Sequence, residues 1–489
     1  MNFRALFLVL SALLLMIAML MLVPLAVALL HGEWHLAEAF LLPIGFSLLL
    51  FGSSFAFLLL RQRKRQTNLV QRDVLLLVSF SWFFVAALSA LPFVLSGEIP
   101  SFVDAFFETI SGYTTTGASI LSDIEGLSKG LLFWRAMTHW LGGMGFIVLT
   151  VALLPQLGIS GAQLMRAEAP GPDLDKVTYR INDTAKILWL IYAGLTLAQV
   201  VLLLLGGMNL FDSLTHSFAT VATGGYSTRN ASVGAFDSPY IQWVITIFMV
   251  LAGCNFMIFW HAITRRVDKI RINTEFKTYL AIVIFFSLAV ACILNWNRQA
   301  NKSFAENLLD AAFQVASILT TTGFATVDFD RWPESAKVLL FLLMFVGGSA
   351  GSTAGGMKVV RIICLVKKGI LELRYMLKPK GFFRIIVNGQ SMSSLVVAAI
   401  LGFLILYILL LFLTTVVLAF FGSDLLSSFS GALAILGNIG PGFAELGPTM
   451  NYGSLHPFVK TFLSLIMVIG RLEIYTVLVI FMPRLWRNF

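Results

Sequence analysis

Charge is scarce in this 489-residue chain, with 12% Asp, Glu, Lys and Arg against 58% apolar residues, a balance that excludes an ordinary soluble enzyme. Cysteine is nearly absent, and Cys254, Cys292 and Cys364 are scattered without metal-ligand spacing, so no role is assigned to them. Neither a Gly-x-Gly-x-x-Gly nor a P-loop pattern occurs, so no nucleotide site is expected on this chain. A low-complexity tail and a recognisable soluble domain are also missing. The net charge of +9 is carried by short basic clusters between apolar runs, the pattern of positive-inside loops rather than of a nucleic-acid footprint.

What is present is a series of apolar runs long enough to cross a bilayer. Residues 4–30 and 40–60 form an opening pair joined by His31-Gly32-Glu33-Trp34-His35. The first is too long for a cleaved signal peptide and lacks an Ala-x-Ala-like end, so it reads as a retained span. The basic stretch from Arg61 to Arg72 places the following loop, and with it the N-terminus, in the cytoplasm. From there one unit recurs four times: a long span, an outer turn, a short helix, a filter-like strand, an outer acidic stretch and a returning span. The short helices are expected at 102–111, 211–221, 305–319 and 424–436, and a helix so placed points its negative C-terminal end at a resting cation. The resulting division is 1–72 for two accessory spans, 73–182 for the first repeat and a Pro-containing linker at 156–182, 183–274 for the second, 275–390 for the third and 391–489 for the fourth. The expected fold is an all-α membrane protein of ten transmembrane helices around a pseudo-fourfold pore, with both termini cytoplasmic. Outer Asp123, Glu125, Asp237, Asp328, Asp330 and Glu445 oppose inner Arg265, Arg266, Lys269, Arg271, Lys367, Lys368, Arg374, Lys378 and Lys380, and an acidic mouth would concentrate cations.

The strands after the short helices carry the chemistry. Tyr113-Thr114-Thr115-Thr116-Gly117, Val221-Ala222-Thr223-Gly224-Gly225, Thr320-Thr321-Thr322-Gly323-Phe324 and Gly437-Asn438-Ile439-Gly440-Pro441 put Thr/Gly backbone at membrane depth, where polar backbone is tolerated only against protein or a water-filled path. Such backbone suits a ring of carbonyl oxygens replacing a cation's hydration shell. The filter candidates are Thr115, Thr116 and Gly117; Ala222, Thr223 and Gly224; Thr321, Thr322 and Gly323; Asn438, Ile439 and Gly440. One Thr-Gly alone would read as close helix packing; four after four short helices do not. Their inequality predicts weaker discrimination than in a symmetric pore.

In the third repeat the returning span is interrupted by glycines, among them Gly347, Gly348, Gly351, Gly355 and Gly356, each costing about 1 kcal/mol against alanine in a helix. An unwound loop there is a candidate gate; the plainer alternative is a packing kink. Arg471, in the last apolar run at about residues 458–482, requires a cavity or partner at membrane depth. It is expected to face the pore below the filter and repel a resident cation, with an ion pair to another helix as the structural alternative. Glu473, two residues on, faces elsewhere on a helix. His139 and His261 have no metal-ligand partners in sequence and read as packed or interfacial.

These residues resemble the Trk/Ktr/HKT superfamily of potassium transporters, and within it the bacterial Trk type. The resemblance covers nearly the whole chain and rests on the four filter-like strands, the glycine-rich loop and Gly470-Arg471-Leu472-Glu473; the opening pair of spans is similar to the extra pair of the Trk branch. It implies potassium uptake across the bacterial cytoplasmic (inner) membrane, an intramembrane loop gate, a homodimer and a cytosolic nucleotide-binding regulatory subunit. Potassium would be the substrate, and Gly117 favours it, since related plant transporters with serine at the matching position carry sodium. The rivals are a sodium-coupled potassium symporter on the same scaffold and, more distantly, an intramembrane enzyme using His139 or His261.

Overall fold

The computed structural model describes residues 3–55, 71–144, 181–297 and 302–486. These are mostly helical, with one short antiparallel pairing of Ile386–Val387 and Gln390–Ser391. Most of the expected basic loop at 61–72, most of the linker at 156–182 and the remainder of the first repeat's returning span lie outside the described residues.

Among the described residues six helices are long and apolar enough to cross a membrane: Phe3–Leu30, Leu36–Phe55, Arg72–Leu95, Ala185–Leu205, Thr274–Trp296 and Ser394–Phe420. Two more candidates are bent pairs, Pro239–Ala252 with Phe256–Ile263 at 94° and Pro457–Arg471 with Tyr475–Phe481 at 116°. The chain is thus a multi-pass membrane protein. Ser394–Phe420 leaves Leu395, Ile405, Leu409, Phe412, Val416 and Phe420 exposed, a surface suited to lipid rather than water. The accessory pair packs against the first long helix, burying Leu8, Ile17, Phe40 and Trp82 together.

Four short helices follow the four long ones and pack on them: Phe102–Tyr113, Leu210–Val221, Phe304–Leu319 and Leu425–Leu436. Each starts on a polar side chain that accepts a backbone N–H of the first turn: Ser101 from Asp104, Asn209 from Asp212, Ser303 from Glu306 and Asp424 from Ser427. Such caps satisfy donors that a helix start leaves orphaned and contribute about 1 kcal/mol each.

The returning segments differ most from the sequence reading. The last apolar run is not one helix: it stops at Arg471 and turns through Glu473 and Ile474, both at positive φ (58° and 57°). The second repeat breaks likewise at Gly253-Cys254-Asn255, where Asn255 caps the next helix by accepting the Met257 N–H. The expected break in the third repeat is present, with helices Glu334–Met344 and Val359–Leu377 flanking it.

Candidate functional site

All four short helices end in the same way. The last turn closes when the N–H of Thr116, Gly224, Thr322 or Ile439 donates back five residues, to Ser111, Ala219, Ser317 and Ala434 at 2.8–2.9 Å. The residue before each, Thr115, Thr223, Thr321 and Asn438, sits at φ of 53–57°. This is a Schellman ending, in which glycine usually takes the left-handed position. Three threonines there hold a conformation costing about 1–2 kcal/mol for an L residue, strain that a surrounding structure must over-determine.

Two residues beyond each left-handed residue lies a glycine at positive φ: Gly117 (77°), Gly225 (80°), Gly323 (81°) and Gly440 (98°). The equivalent of Gly117 in the second repeat is therefore Gly225; Gly224, expected in that place, aligns with Thr116, Thr322 and Ile439. The glycines close a ring. A Cβ on Gly117 would overlap the Gly224 carbonyl oxygen, one on Gly225 that of Thr322, and one on Gly323 that of Ile439, while on Gly440 it would come within 2.6 Å of Thr116 O. Each strand abuts the next in the order one, two, three, four, one.

The outer loops repeat that order. Asn230 of the second repeat receives the Ile124 N–H, donates its side-chain amide to Asp123 and its own N–H to Glu125. The Asn230 bond, with the Gly126 N–H, holds the exposed Asp123 carboxyl below the usual carboxylate range. The Gly234 N–H bonds Ala325 O, the Ala444 N–H bonds Asp330 and the Tyr452 N–H bonds Ser119 O. Asp123, Glu125 and Asp330, expected as a charged mouth, thus also clasp neighbouring repeats.

The glycine-rich loop lies against the helix ends. Thr353 Oγ1 donates to Val221 O at 3.0 Å and Ala252 O at 3.2 Å, and the Gly355 N–H donates to Thr321 Oγ1 at 2.7 Å. A Cβ on Gly355 would overlap the Gly437 carbonyl. Gly347, Gly351 and Gly356 have φ of 80°, 72° and 72°, which only glycine adopts readily. Gly348 packs tightly too, a Cβ there coming within 2.5 Å of the Ala354 methyl.

Arg471 reaches the same loop from the end of its helix. Its guanidinium donates to Thr353 O at 2.7 Å and to Gly142 O and Gly143 O, both at 2.9 Å. Glu473 pairs instead with Arg361, which also lies 4.0 Å from the Phe403 ring centroid.

Sequence reasoning missed the polar network behind the first strand. Glu108 and Arg135, both buried, form an ion pair at 2.6 Å; Glu108 also accepts from Ser119 Oγ and the Ile120 N–H, and Arg135 donates to Ser227 O and lies 3.5 Å from the Tyr226 ring centroid. The available signal was a charge inside an apolar segment, the same signal that singled out Arg471. His139 is fully buried, donates from Nδ1 to Gly112 O at 2.7 Å and stacks on Tyr226; it is a packed histidine behind the strands. Among the described residues no group of three His, Cys, Asp or Glu side chains could hold a metal ion.

A closed ring of helix ends inside a multi-pass membrane protein has the form of a transport protein. Comparison with known proteins agrees. The family described as TrkH, cation transport protein, matches residues 46–488. The Trk system potassium uptake protein TrkH of Escherichia coli (strain K12) is 41% identical over 431 residues, 87% of this chain and 88% of that protein. TrkH of Vibrio parahaemolyticus is 39% identical over the full length of both, and TrkG of Escherichia coli (strain K12) is 33% identical over 96% of this chain and 95% of its own. The crystal structure of the potassium transporter TrkH from Vibrio parahaemolyticus matches with a TM-score of 0.87 and 36% identity, covering 100% of both chains. The chain belongs to the TrkH family, a family of transporters and not of enzymes.

Proposed function

We propose that this protein takes up potassium through a channel-like filter built from the four strands, across the bacterial cytoplasmic membrane and down the membrane potential. The relatives are named as potassium uptake proteins, and the observation that carries the mechanism is the cyclic series of contacts from Gly117 through Gly225 and Gly323 to Gly440. Backbone turned left-handed at these positions can direct successive carbonyls at one axis. A monovalent cation gains about 2.3 kcal/mol per 100 mV on moving inward, so accumulation needs no fuel site on this chain. With three threonine-type strands and one Asn-Ile strand, the filter discriminates less sharply than a symmetric one.

The loop around Gly347, Gly348, Gly351, Gly355 and Gly356 is read as the gate, since it meets strands two, three and four from one side. Arg471 has two roles in this reading: its charge lies beneath the filter and limits how tightly a cation rests there, and its fork ties the loop to the first repeat. The Trk system name carried by the relatives fits a homodimer working with a cytosolic nucleotide-binding subunit that moves the loop. The test is rubidium uptake into proteoliposomes carrying the intact chain or a deletion of Gly351 to Gly355. Raised basal uptake in the folded deletion supports the gate; unchanged or lower uptake overturns it.

A further inference from the structure

We propose that Glu275 is the latch that keeps the glycine-rich loop closed, and that the hairpin around Asn388 is the handle on that latch; this rests on reading the loop as the gate. Glu275 is buried at 2% exposure, and a carboxylate so placed costs several kcal/mol unless hydrogen-bonded or paired. Its Oε1 accepts the Ala350 N–H at 2.7 Å and the Val360 N–H at 3.2 Å. Ala350 lies within the loop, and Val360 opens the helix that follows it. One oxygen therefore gathers the loop and its downstream anchor. The carboxylate also sits in the first turn of Thr274–Trp296, so two helix N-termini favour its negative charge. A second bond closes the loop on itself, the Val359 N–H donating to Gly348 O at 2.9 Å.

The handle is at the backbone of the same residue. Asn388 Oδ1 accepts the N–H groups of Thr274 and Glu275, at 2.9 and 3.2 Å. Asn388 and Gly389 have φ of 50° and 77° and join the two short strands, the Asn-Gly sequence that a tight hairpin turn demands. The hairpin follows the basic helix Val359–Leu377, which supplies Lys367 Nζ to Ile386 O at 2.6 Å. A pull on this basic segment, which its charge assigns to the cytoplasmic side, thus reaches Glu275 through one side chain. Beside the latch lies a cavity of about 210 Å³ lined by Glu275, Ala350, Asn388, His261 and Lys269 among others, which gives the carboxylate room to leave the loop.

Glu275 is a positioning residue: it touches no permeating ion and acts through the loop. Rubidium uptake by the full chain in proteoliposomes tests this, comparing Glu275→Ala, Glu275→Gln, Asn388→Ala and the deletion of Gly351 to Gly355, with sodium as competitor. Glu275→Ala should raise basal uptake by about tenfold, the effect of about 1.4 kcal/mol of lost closed-state preference. Glu275→Gln keeps an acceptor oxygen and should fall between Ala and the native chain, and Asn388→Ala should raise uptake less than Glu275→Ala. Sodium competition should not change in Glu275→Ala, Glu275→Gln or Asn388→Ala, and Glu275→Ala should add nothing in the deletion background, because coupled sites are not additive. If the deletion raises uptake while folded Glu275→Gln and Asn388→Ala stay at the native level, the latch is refuted and the gate stands. If the deletion raises nothing, the gate reading falls and takes the latch with it. Altered sodium competition would place Glu275 in support of the filter and overturn the proposal.

Discussion

Replacing Arg471 with alanine removes three charge-assisted hydrogen bonds, to Thr353 O, Gly142 O and Gly143 O. Hydrogen bonds to a charged group contribute about 1.5–3 kcal/mol each. Of these three, the bond to Thr353 is the one that reaches the loop. If that bond alone bears on closure, its loss raises the open fraction by about 10- to 150-fold, since each ~1.4 kcal/mol is a factor of ten. Basal rubidium uptake should rise accordingly, and cation affinity should tighten because a repelling charge has gone. Arg471→Lys separates the two effects: the ammonium keeps the charge but cannot span both carbonyl groups as a fork, so uptake should rise while affinity stays near native. Monodispersity in detergent serves as the folding control. Native uptake and affinity in a well-folded Arg471→Ala would refute the reasoning, and loss of assembly in both variants would make Arg471 a strut between helices.

Two further changes probe the ring and its support. Gly225→Ala should behave like Gly117→Ala, losing flux and about 2–5 kcal/mol of stability through left-handed backbone and overlap with Thr322 O; native thermal stability and flux would return the second strand's register to Gly224. Glu108→Ala leaves Arg135 buried without its carboxylate, which should cost about 3–5 kcal/mol, and a midpoint shift of under a degree in thermal unfolding would contradict it.

The short helices were legible because each begins at a polar cap and ends at a Thr/Gly or Asn/Gly cluster, and the four observed helices lie within two residues of the expected ones. The register of the second strand was not legible, since Gly224 and Gly225 are adjacent and only φ tells them apart. The break in the third repeat was announced by its glycines. The break after Arg471 was not, because the residues that turn there, Glu473 and Ile474, are poor at positive φ and are held by tertiary contacts such as the Glu473–Arg361 pair. Glu108 and Arg135 were readable as charges among apolar residues, whereas Glu275 stands in the polar stretch from Arg271 to Thr278 and carries no such signal; the partners of all three are far apart in sequence. Pairing across repeats is a property of the closed fold.

The central claim is that a cation is selected where the four strands meet. It is tested most directly by rubidium or potassium flux into proteoliposomes, with sodium as competitor, in the native chain and in Gly117→Ser. At φ 77° a serine Cβ would overlap the Gly224 carbonyl, so the account predicts potassium-selective flux that the serine weakens or opens to sodium. Flux that depends on sodium in the native chain, or selectivity indifferent to the serine, would contradict it and move the selective step out of the first strand.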